Sequence, residues 1–455
     1  MASSFSYVWD IMVVSLFLGV AAFLEHNIPF FKKFFIPTAI IAGFIGLLVG
    51  PQVLGLVPFN SDHLGVIVYH LMSVGFISLA LKQRSREKNN NVINTGFFIV
   101  SAYVLQGIVG FGLSLLMVYT FFPHLFPAFG MLLPLGYGQG AAQAYSMGTQ
   151  WQSVGFTNGG NIGLSVAALG LLWACLGGIP LMNYLIRVKK IVPAHTKDTA
   201  VKKAAEVKAA PTREEPVERF TTQLFIIGII YLITYLTLVG LSDLFGGLGT
   251  FGQTLSNMLW GFSFIVGTLY AILFRSVYDL LRKKKVVRTE VVSDFLLDRI
   301  AGGTFDFMIA ASIAAISISI LKEYLIPTLV IGIIGGFITI WYTIFICRRI
   351  YSTDVLENIL ALYGTLTGIV STGLGLVKEI DPDFESSATK NLVLGSGAAL
   401  FVGLPLMLLL SVPIMGIVSH KPVMFLYTMI ALIVYFAVLL LLMYLYRPSG
   451  AKQKD

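Results

Sequence analysis

Hydrophobic positions run along this chain in long unbroken blocks rather than in alternation. Eleven blocks stand out: 7–24, 36–58, 63–81, 94–122, 158–187, 219–241, 249–275, 298–321, 324–347, 388–411 and 422–446. Most approach or exceed the roughly 18 residues at which an apolar segment reads as a membrane-crossing helix. The pattern speaks against a membrane β-barrel, whose strands show alternating segments of about 10 residues. Two further stretches, 127–151 and 356–378, are apolar but interrupted by glycine and polar side chains. Both are predicted to enter and leave the bilayer on one side, as re-entrant segments.

Composition supports a membrane protein. The chain of 455 residues is 56% hydrophobic and 12% charged, against about 25% charged in a soluble domain. The basic residues fall between the blocks: Lys32 and Lys33; Lys82, Arg84, Arg86 and Lys88; the segment 187–218; Arg275 to Arg288; Arg348 and Arg349; Arg447 to Lys454. With both broken segments re-entrant, all of them share one side, as cytoplasmic loops should. The N-terminus is then outside, and the C-terminus and the 188–218 linker are cytoplasmic. The net charge of +8 therefore orients the chain and is no nucleic-acid footprint. Residues 1–24 lack a basic start and an A-x-A site, so they read as a spanning helix, not a cleaved signal. Cys175 and Cys347 lie far apart inside apolar blocks, which argues against a disulfide framework.

The blocks fall into two similar sets. Residues 1–187 hold five spans, with the broken segment 127–151 between the fourth and fifth. After the Ala-, Lys- and Glu-rich linker 188–218, residues 219–411 repeat the order, with 356–378 in the corresponding place. Residues 412–455 add one span and a basic tail. The halves start on opposite sides. The predicted fold is an all-α integral membrane protein: an inverted repeat of five spans plus a re-entrant hairpin each, with one extra C-terminal span. Broken segments in corresponding positions of inverted halves are the sequence mark of a transporter's substrate site.

The first broken segment contains "LPLGYGQGAAQAYSMGTQW", 133–151. Gly136, Gly138 and Gly140 permit positive φ and close backbone approach. Amide groups freed at the following helix start attract anions, helped by the helix dipole, and freed carbonyls suit Na⁺. Tyr137, Gln139, Gln143 and Ser146 complete the segment's candidate substrate contacts. The competing reading is a glycine-rich packing face, against which stands the G-x-G-x-G spacing, which does not keep to one helical face. In the second segment Gly364, Gly368, Gly373 and Gly375 alternate with Thr365, Thr367, Ser371 and Thr372. There Gly364, Gly368 and Thr372 would share one helical face, so packing and ligand binding both stay open. Thr157 or Asn158 is a suitable N-cap for the fifth span, and Asn158 and Asn161 are candidate cavity-lining groups and, with Asp306, a candidate Na⁺ site. Asp306 lies well inside a span, where charges are rare and usually functional. It is a candidate Na⁺ ligand or proton carrier. Lys378 and Glu379 close the second segment. No G-x-x-x-x-G-K-[ST] and no H-E-x-x-H occur, and the six histidines are scattered. ATP-driven and metalloprotease chemistry find no motif, which leaves an ion gradient to drive uphill transport.

"IPTAIIAGFIG" (36–46), "GYGQGAA" (136–142), "GFTN" (155–158) and the Gly364–Gly368–Thr372 spacing together resemble the bacterial sodium/glutamate symporter family. The order of spans and the basic linker extend the likeness over roughly 30–411. The resemblance implies Na⁺-coupled uptake of glutamate in a bacterial cytoplasmic membrane. It also implies a homodimer and an elevator-like movement of a transport domain against a scaffold. This chain departs from the family's common residues at Tyr137 and Gln139 (His and Thr), at Asn161 (an acid) and in "IVSTGLGLV". A Na⁺- or H⁺-coupled carrier of another small organic anion or amino acid therefore stays open, as does an anion channel lined by the same segments.

Overall fold

Chain-breaking residues mark two of the places where an apolar block stops being helix. A computed structural model describes residues 6–28, 38–82, 90–189, 217–247, 263–286, 291–316, 318–378 and 386–446, with a few single residues in the gaps. In chain order the α-helices are α1 (Ser6–Asn27), α2 (Thr38–Val49), α3 (Ser61–Ala80), α4 (Asn90–Thr120), α5 (Ala141–Gln152), α6 (Gly159–Lys189), α7 (Val217–Gly246), α8 (Ser263–Lys283), α9 (Asp294–Ala314), α10 (Ile318–Ile350), α11 (Val355–Thr367), α12 (Val370–Lys378), α13 (Ser387–Val402), α14 (Leu404–Leu409), α15 (Ser411–Val418) and α16 (Val423–Leu445). Among the described residues eight helices are long and apolar enough to cross a membrane, and one bent pair makes a ninth. Among the described residues the only regular elements are helices, and the molecule is a multi-pass membrane protein.

The chain divides into two compact units. The first takes residues 1–21, 38–85 and 205–315; the second takes 22–37, 86–204 and 316–455. Each half of the sequence contributes three helices to the first unit: α1 to α3 from one, α7 to α9 from the other. Each likewise contributes two spans and one broken segment to the second. The extra helix α16 joins the second.

In the first unit α9 packs on α2 and α3, and α8 on α3 and α7. Ile77, Leu81, Ile226, Ile230, Ala271 and Leu297 lie in its buried core. Small residues set the closest crossings. A Cβ on Gly43 would stand 2.5 Å from the Ile313 Cβ, and one on Gly46 would stand 2.8 Å from the Ala314 Cβ. Asn60 caps α3, its side chain accepting from Asp62 N at 2.8 Å. Buried Asp10 accepts from Asn60 N at 3.2 Å and contacts His63 Nδ1 at 2.8 Å. At another helix end Arg275 is buried and donates to the Leu81 carbonyl at 2.9 Å, Asp294 at 3.1 Å and Asp279 at 3.1 Å. Lys82 pairs with Asp298 at 2.5 Å.

The helices depart from the apolar blocks in four places. Block 36–58 yields only the twelve-residue α2, because Gly50-Pro51 follows and proline cannot continue the hydrogen-bond ladder. Hydropathy stays high through Val53, Leu54 and Leu56, which are exposed on turns. Block 249–275 does not end at Arg275. Helix α8 runs on to Lys283, and Arg275 is a buried helix residue whose charge Asp279 and Asp294 offset. Block 298–321 ends early at Ala314, and α10 begins at Ile318; no breaking residue marks this junction. Block 388–411 is bent by 50° between Ser387–Ala399 and Leu404–Val418. Pro405 interrupts the ladder there, and the Tyr435 hydroxyl caps the carbonyl of Val402 at the break. Cys175 and Cys347 are free thiols. The linker 190–216, the basic stretches 83–89, 287–290 and 447–455, and Glu379 lie outside the described residues.

Candidate functional site

Both broken segments lie in the second unit, and both fold back on themselves. In the first, a short 3-10 turn (Phe129–Met131) and a π-helical turn (Pro134–Gln139) descend beside α4. The chain breaks at Gly140, and α5 returns. The ends of this hairpin meet: Phe126 stacks on Phe156 at 4.5 Å and on Trp151 at 6.1 Å between ring centroids. A continuous helix would hold Phe126 and Trp151 about 37 Å apart. In the second, α11 stops at Gly368 and α12 returns. A Cβ on Gly364 would lie 2.7 Å from the Gly373 Cα, so the two arms touch backbone to backbone on either side of the break. Among the described residues the positive-φ glycines are Gly55, Gly140 and Gly155.

The glycine roles therefore divide. Gly140 alone of the first three takes the left-handed backbone, at φ 101° and ψ 169°. Gly136 and Gly138 are helical, and they serve packing instead of positive φ. Gly136 lies against Ala167 of α6, and a Cβ on Gly138 would overlap the Tyr103 ring of α4. Their different faces meet different neighbours, which is why the spacing does not look like one packing stripe. Gly364, Gly368 and Thr372 do not share one helical face, because the break at Gly368 separates them.

Helix α6 carries both hairpins. Gly159, Gly163 and Ala167 receive the first; Ala174 and Gly178 receive the second. The tips meet between. The Ile369 Cγ2 lies 3.9 Å from the Cβ position of Gly140, and the Thr367 carbonyl lies 2.6 Å from that of Gly170. Gly170 is 11 residues from Gly159 and 14 from Tyr184, the ends of the apolar part of α6 (170 − 159; 184 − 170). At 1.5 Å per residue the tips sit about 17–21 Å from either end.

Two kinds of backbone end face this point. Helix α5 starts at Ala141 behind Gly140, which has no side chain to cap it, so its first amides point out of the helix end without a capping side chain from that position. Helix α11 ends there with its last carbonyls unpaired within the helix. Several buried side-chain atoms have no protein partner: both amide atoms of Gln139, Gln143 Oε1 and Thr372 Oγ1. Buried polar groups are normally satisfied, so these atoms, one or a few residues from the hairpin breaks, fit a ligand-binding surface. Tyr137 is committed elsewhere, donating to the Gly332 carbonyl at 2.7 Å. Thr365 and Thr367 donate to carbonyls one turn back, at 2.8 Å each. Ser146 is buried, six residues past the break; the side chain of Ser371 lies outside the described residues. No Asp, Glu, Lys or Arg occurs in 89–186, 324–347 or 358–377.

Of the three candidate Na⁺ ligands, two stand at the base of the first hairpin and one belongs to the other unit. Asn158 takes the N-cap position of α6, its carbonyl accepting from Ile162 N at 3.1 Å with φ at 57°. It stands at the hairpin's base, nine residues before Ala167, and Asn161 stands one turn further on. Asp306 belongs to the first unit, on an exposed face of α9. Among the described residues no group of three or more His, Cys, Asp or Glu is placed to hold a metal ion. Sequence reasoning passed over Gln106. Its Nε2 donates to the Leu366 carbonyl at 3.0 Å and to Thr339 Oγ1 at 2.9 Å. It sits in a long apolar block, and its partners lie more than 230 residues away, so no local pattern marks it.

The chain is similar to known proteins. The family model described as "Sodium/glutamate symporter" matches residues 4–375. The sodium/glutamate symporters of Escherichia coli K12 and of Shigella flexneri are each 23% identical over 391 residues, covering 83% of this chain and 90% of theirs. That of Haemophilus influenzae is 28% identical over 201 residues, 42% of this chain and 47% of its own. No solved structure matches. With the family model spanning most of its length, this chain belongs to the sodium/glutamate symporter family.

Proposed function

We propose that this protein is a Na⁺-driven carrier of glutamate that binds its cargo between the two hairpin tips. The observation that carries the reading is their meeting point. The first hairpin lies along the N-terminal half of α6 and the second along its C-terminal half, with the tips together midway. In a bilayer of about 30 Å hydrocarbon, such hairpins are re-entrant from opposite faces and meet near the midplane. Backbone ends at that depth are tolerated where they line a watery cavity. The free amides of α5 would receive a carboxylate, and Gln139, Gln143 and Thr372 would orient it. The carbonyls ending α11 offer hard oxygen ligands for Na⁺.

The same architecture supports an inverted repeat. Corresponding helices of the two halves exchange roles: α2 packs on α9, and α8 on α3. Alternating access would move the second unit, with its site, relative to the first, as an elevator; the passage from one unit to the other after Ala315 is one place where such a movement would hinge. The outside N-terminus, the cytoplasmic linker, residence in a bacterial inner membrane and a homodimer belong to the same proposal. Asp306 and the base residues Asn158 and Asn161 remain proposed cation ligands. A carrier of another small carboxylate or amino acid is the second reading, favoured by Tyr137, Gln139 and Asn161 at positions where the family commonly differs. Proteoliposome counterflow decides. Labelled glutamate should exchange saturably in Na⁺ and not in choline. Exchange of a dicarboxylate or another amino acid in its place selects the second reading, and conductive flux without coupling would reduce the protein to a channel.

A further inference from the structure

Gln106 of α4 is a buried amide, 1% exposed, and its orientation is settled by its neighbours. Thr339 Oγ1 spends its proton on the Gly335 carbonyl at 2.7 Å. It can only accept from Gln106, as can the Leu366 carbonyl. Both contacts therefore need the amide nitrogen, and the two hydrogens of Nε2 are used up on them. The amide oxygen must point the other way. It is buried, has no protein partner, and lies 3.0 Å from the Cβ position of Gly138 in the first hairpin. Gln106 thus grips the last turn of α11 with its nitrogen and presents a bare oxygen beside the other hairpin. A buried carbonyl-type acceptor left unmatched costs free energy that a bound donor or cation would recover.

We propose that the Gln106 Oε1 is a further site residue that receives a cationic group between the hairpins. This rests on the transport reading and adds a cation-facing side chain to it. A neutral oxygen serves two sources of that chemistry: Na⁺ itself, as one of several oxygen ligands, or the ammonium of an amino-acid cargo. The surrounding spans carry no acid to do this work, since 89–186, 324–347 and 358–377 contain neither Asp nor Glu. The nitrogen side makes Gln106 a positioning residue as well, tying the end of α11 to α4 and α10. The two roles separate by substitution, because they use different atoms of one side chain.

The test is thermal stability of the purified full-length protein, titrated with NaCl against choline chloride, then with L-glutamate and with glutarate, its deaminated analogue. Three variants are compared. Gln106→Met keeps the volume and loses both polar atoms. Gln106→Glu loses the nitrogen and keeps an oxygen. Thr339→Val removes one partner of the nitrogen and leaves the oxygen alone. If the oxygen receives Na⁺, Gln106→Met raises the half-saturating Na⁺ about tenfold or more. Gln106→Glu then holds it near or below the wild-type value, and Thr339→Val leaves it unchanged. If the oxygen receives ammonium, the Na⁺ titrations coincide and only the response to glutamate, not to glutarate, follows that order. Equal losses in Gln106→Met and Gln106→Glu overturn the proposal, since they mean that the nitrogen alone matters. Should Gln106→Glu fail to fold, the other pair decides: Gln106→Met titrating both Na⁺ and glutamate like Thr339→Val also overturns it. A wild-type protein that responds to neither Na⁺ nor glutamate refutes the transport reading itself and is distinguishable from these outcomes.

Discussion

Replacing Gly140 by alanine isolates the geometry of the hairpin tip. The added methyl group has room, since its nearest neighbour is Ile369 Cγ2 at 3.9 Å. The penalty comes from the backbone, whose φ of 101° and ψ of 169° belong to a region used essentially by glycine alone. Holding another residue there costs about 1–3 kcal/mol. At about 1.4 kcal/mol per tenfold, the fraction of molecules with a formed tip falls roughly 5- to 150-fold relative to relaxed alternatives. Gly155 supplies the control. It too has positive φ, 97°, and no atom within 4 Å of its Cβ position, but it lies in the turn at the hairpin's base. Both alanine variants should lose comparable thermal stability in detergent. Only Gly140→Ala should lose Na⁺-dependent glutamate uptake, with a raised half-saturating concentration or a lowered maximal rate. Wild-type uptake in Gly140→Ala, or the same defect in Gly155→Ala, would refute the idea that the tip's backbone is the binding element.

Gly138→Val would drive a branched side chain into the Tyr103 ring; the chain should still insert in the membrane, and substrate uptake should vanish. Gly364→Val should force the arms of the second hairpin apart at Gly373, again abolishing uptake while leaving expression measurable. Arg275→Met removes donors from the Leu81 carbonyl and from Asp279 and Asp294. Those acids are partly solvated, so the loss should be about 1–3 kcal/mol, seen as a lower unfolding midpoint with unchanged half-saturating glutamate. Asp306→Asn should raise the Na⁺ concentration for half-maximal uptake about tenfold; an unaltered Na⁺ curve would remove that carboxylate from the ion's path.

The broken segments could be read from the chain because glycine and amide residues inside an apolar block defy the local rule. Structure found chain reversals at those places. The division of labour among the glycines was not legible. Only the neighbours Tyr103 and Ala167 reveal that Gly138 and Gly136 are packing residues, and those neighbours come from other helices. Helix α2 shows the opposite failure: hydropathy counts Val53 and Leu54 but does not weigh Gly50-Pro51. The charge of Arg275 places it in a loop when read alone, because partners 19 and 194 residues away are invisible to a running window. Gln106 escaped for the same reason, at still longer range.

The stretches that form the hairpins and their supporting spans, 89–186, 324–347 and 358–377, carry no Asp, Glu, Lys or Arg, and this bears on electrical behaviour. Under the proposed alternating movement, a binding region built from them would add no charge of its own to a return without cargo. Voltage sensitivity at the site would then come from the cargo and its accompanying ions. Each net elementary charge crossing the full field is worth about 2.3 kcal/mol per 100 mV. Hyperpolarisation should accordingly speed the loaded stroke and leave the unloaded return alone, so that at saturating external Na⁺ and substrate the turnover rate levels off with voltage at the pace of the empty return.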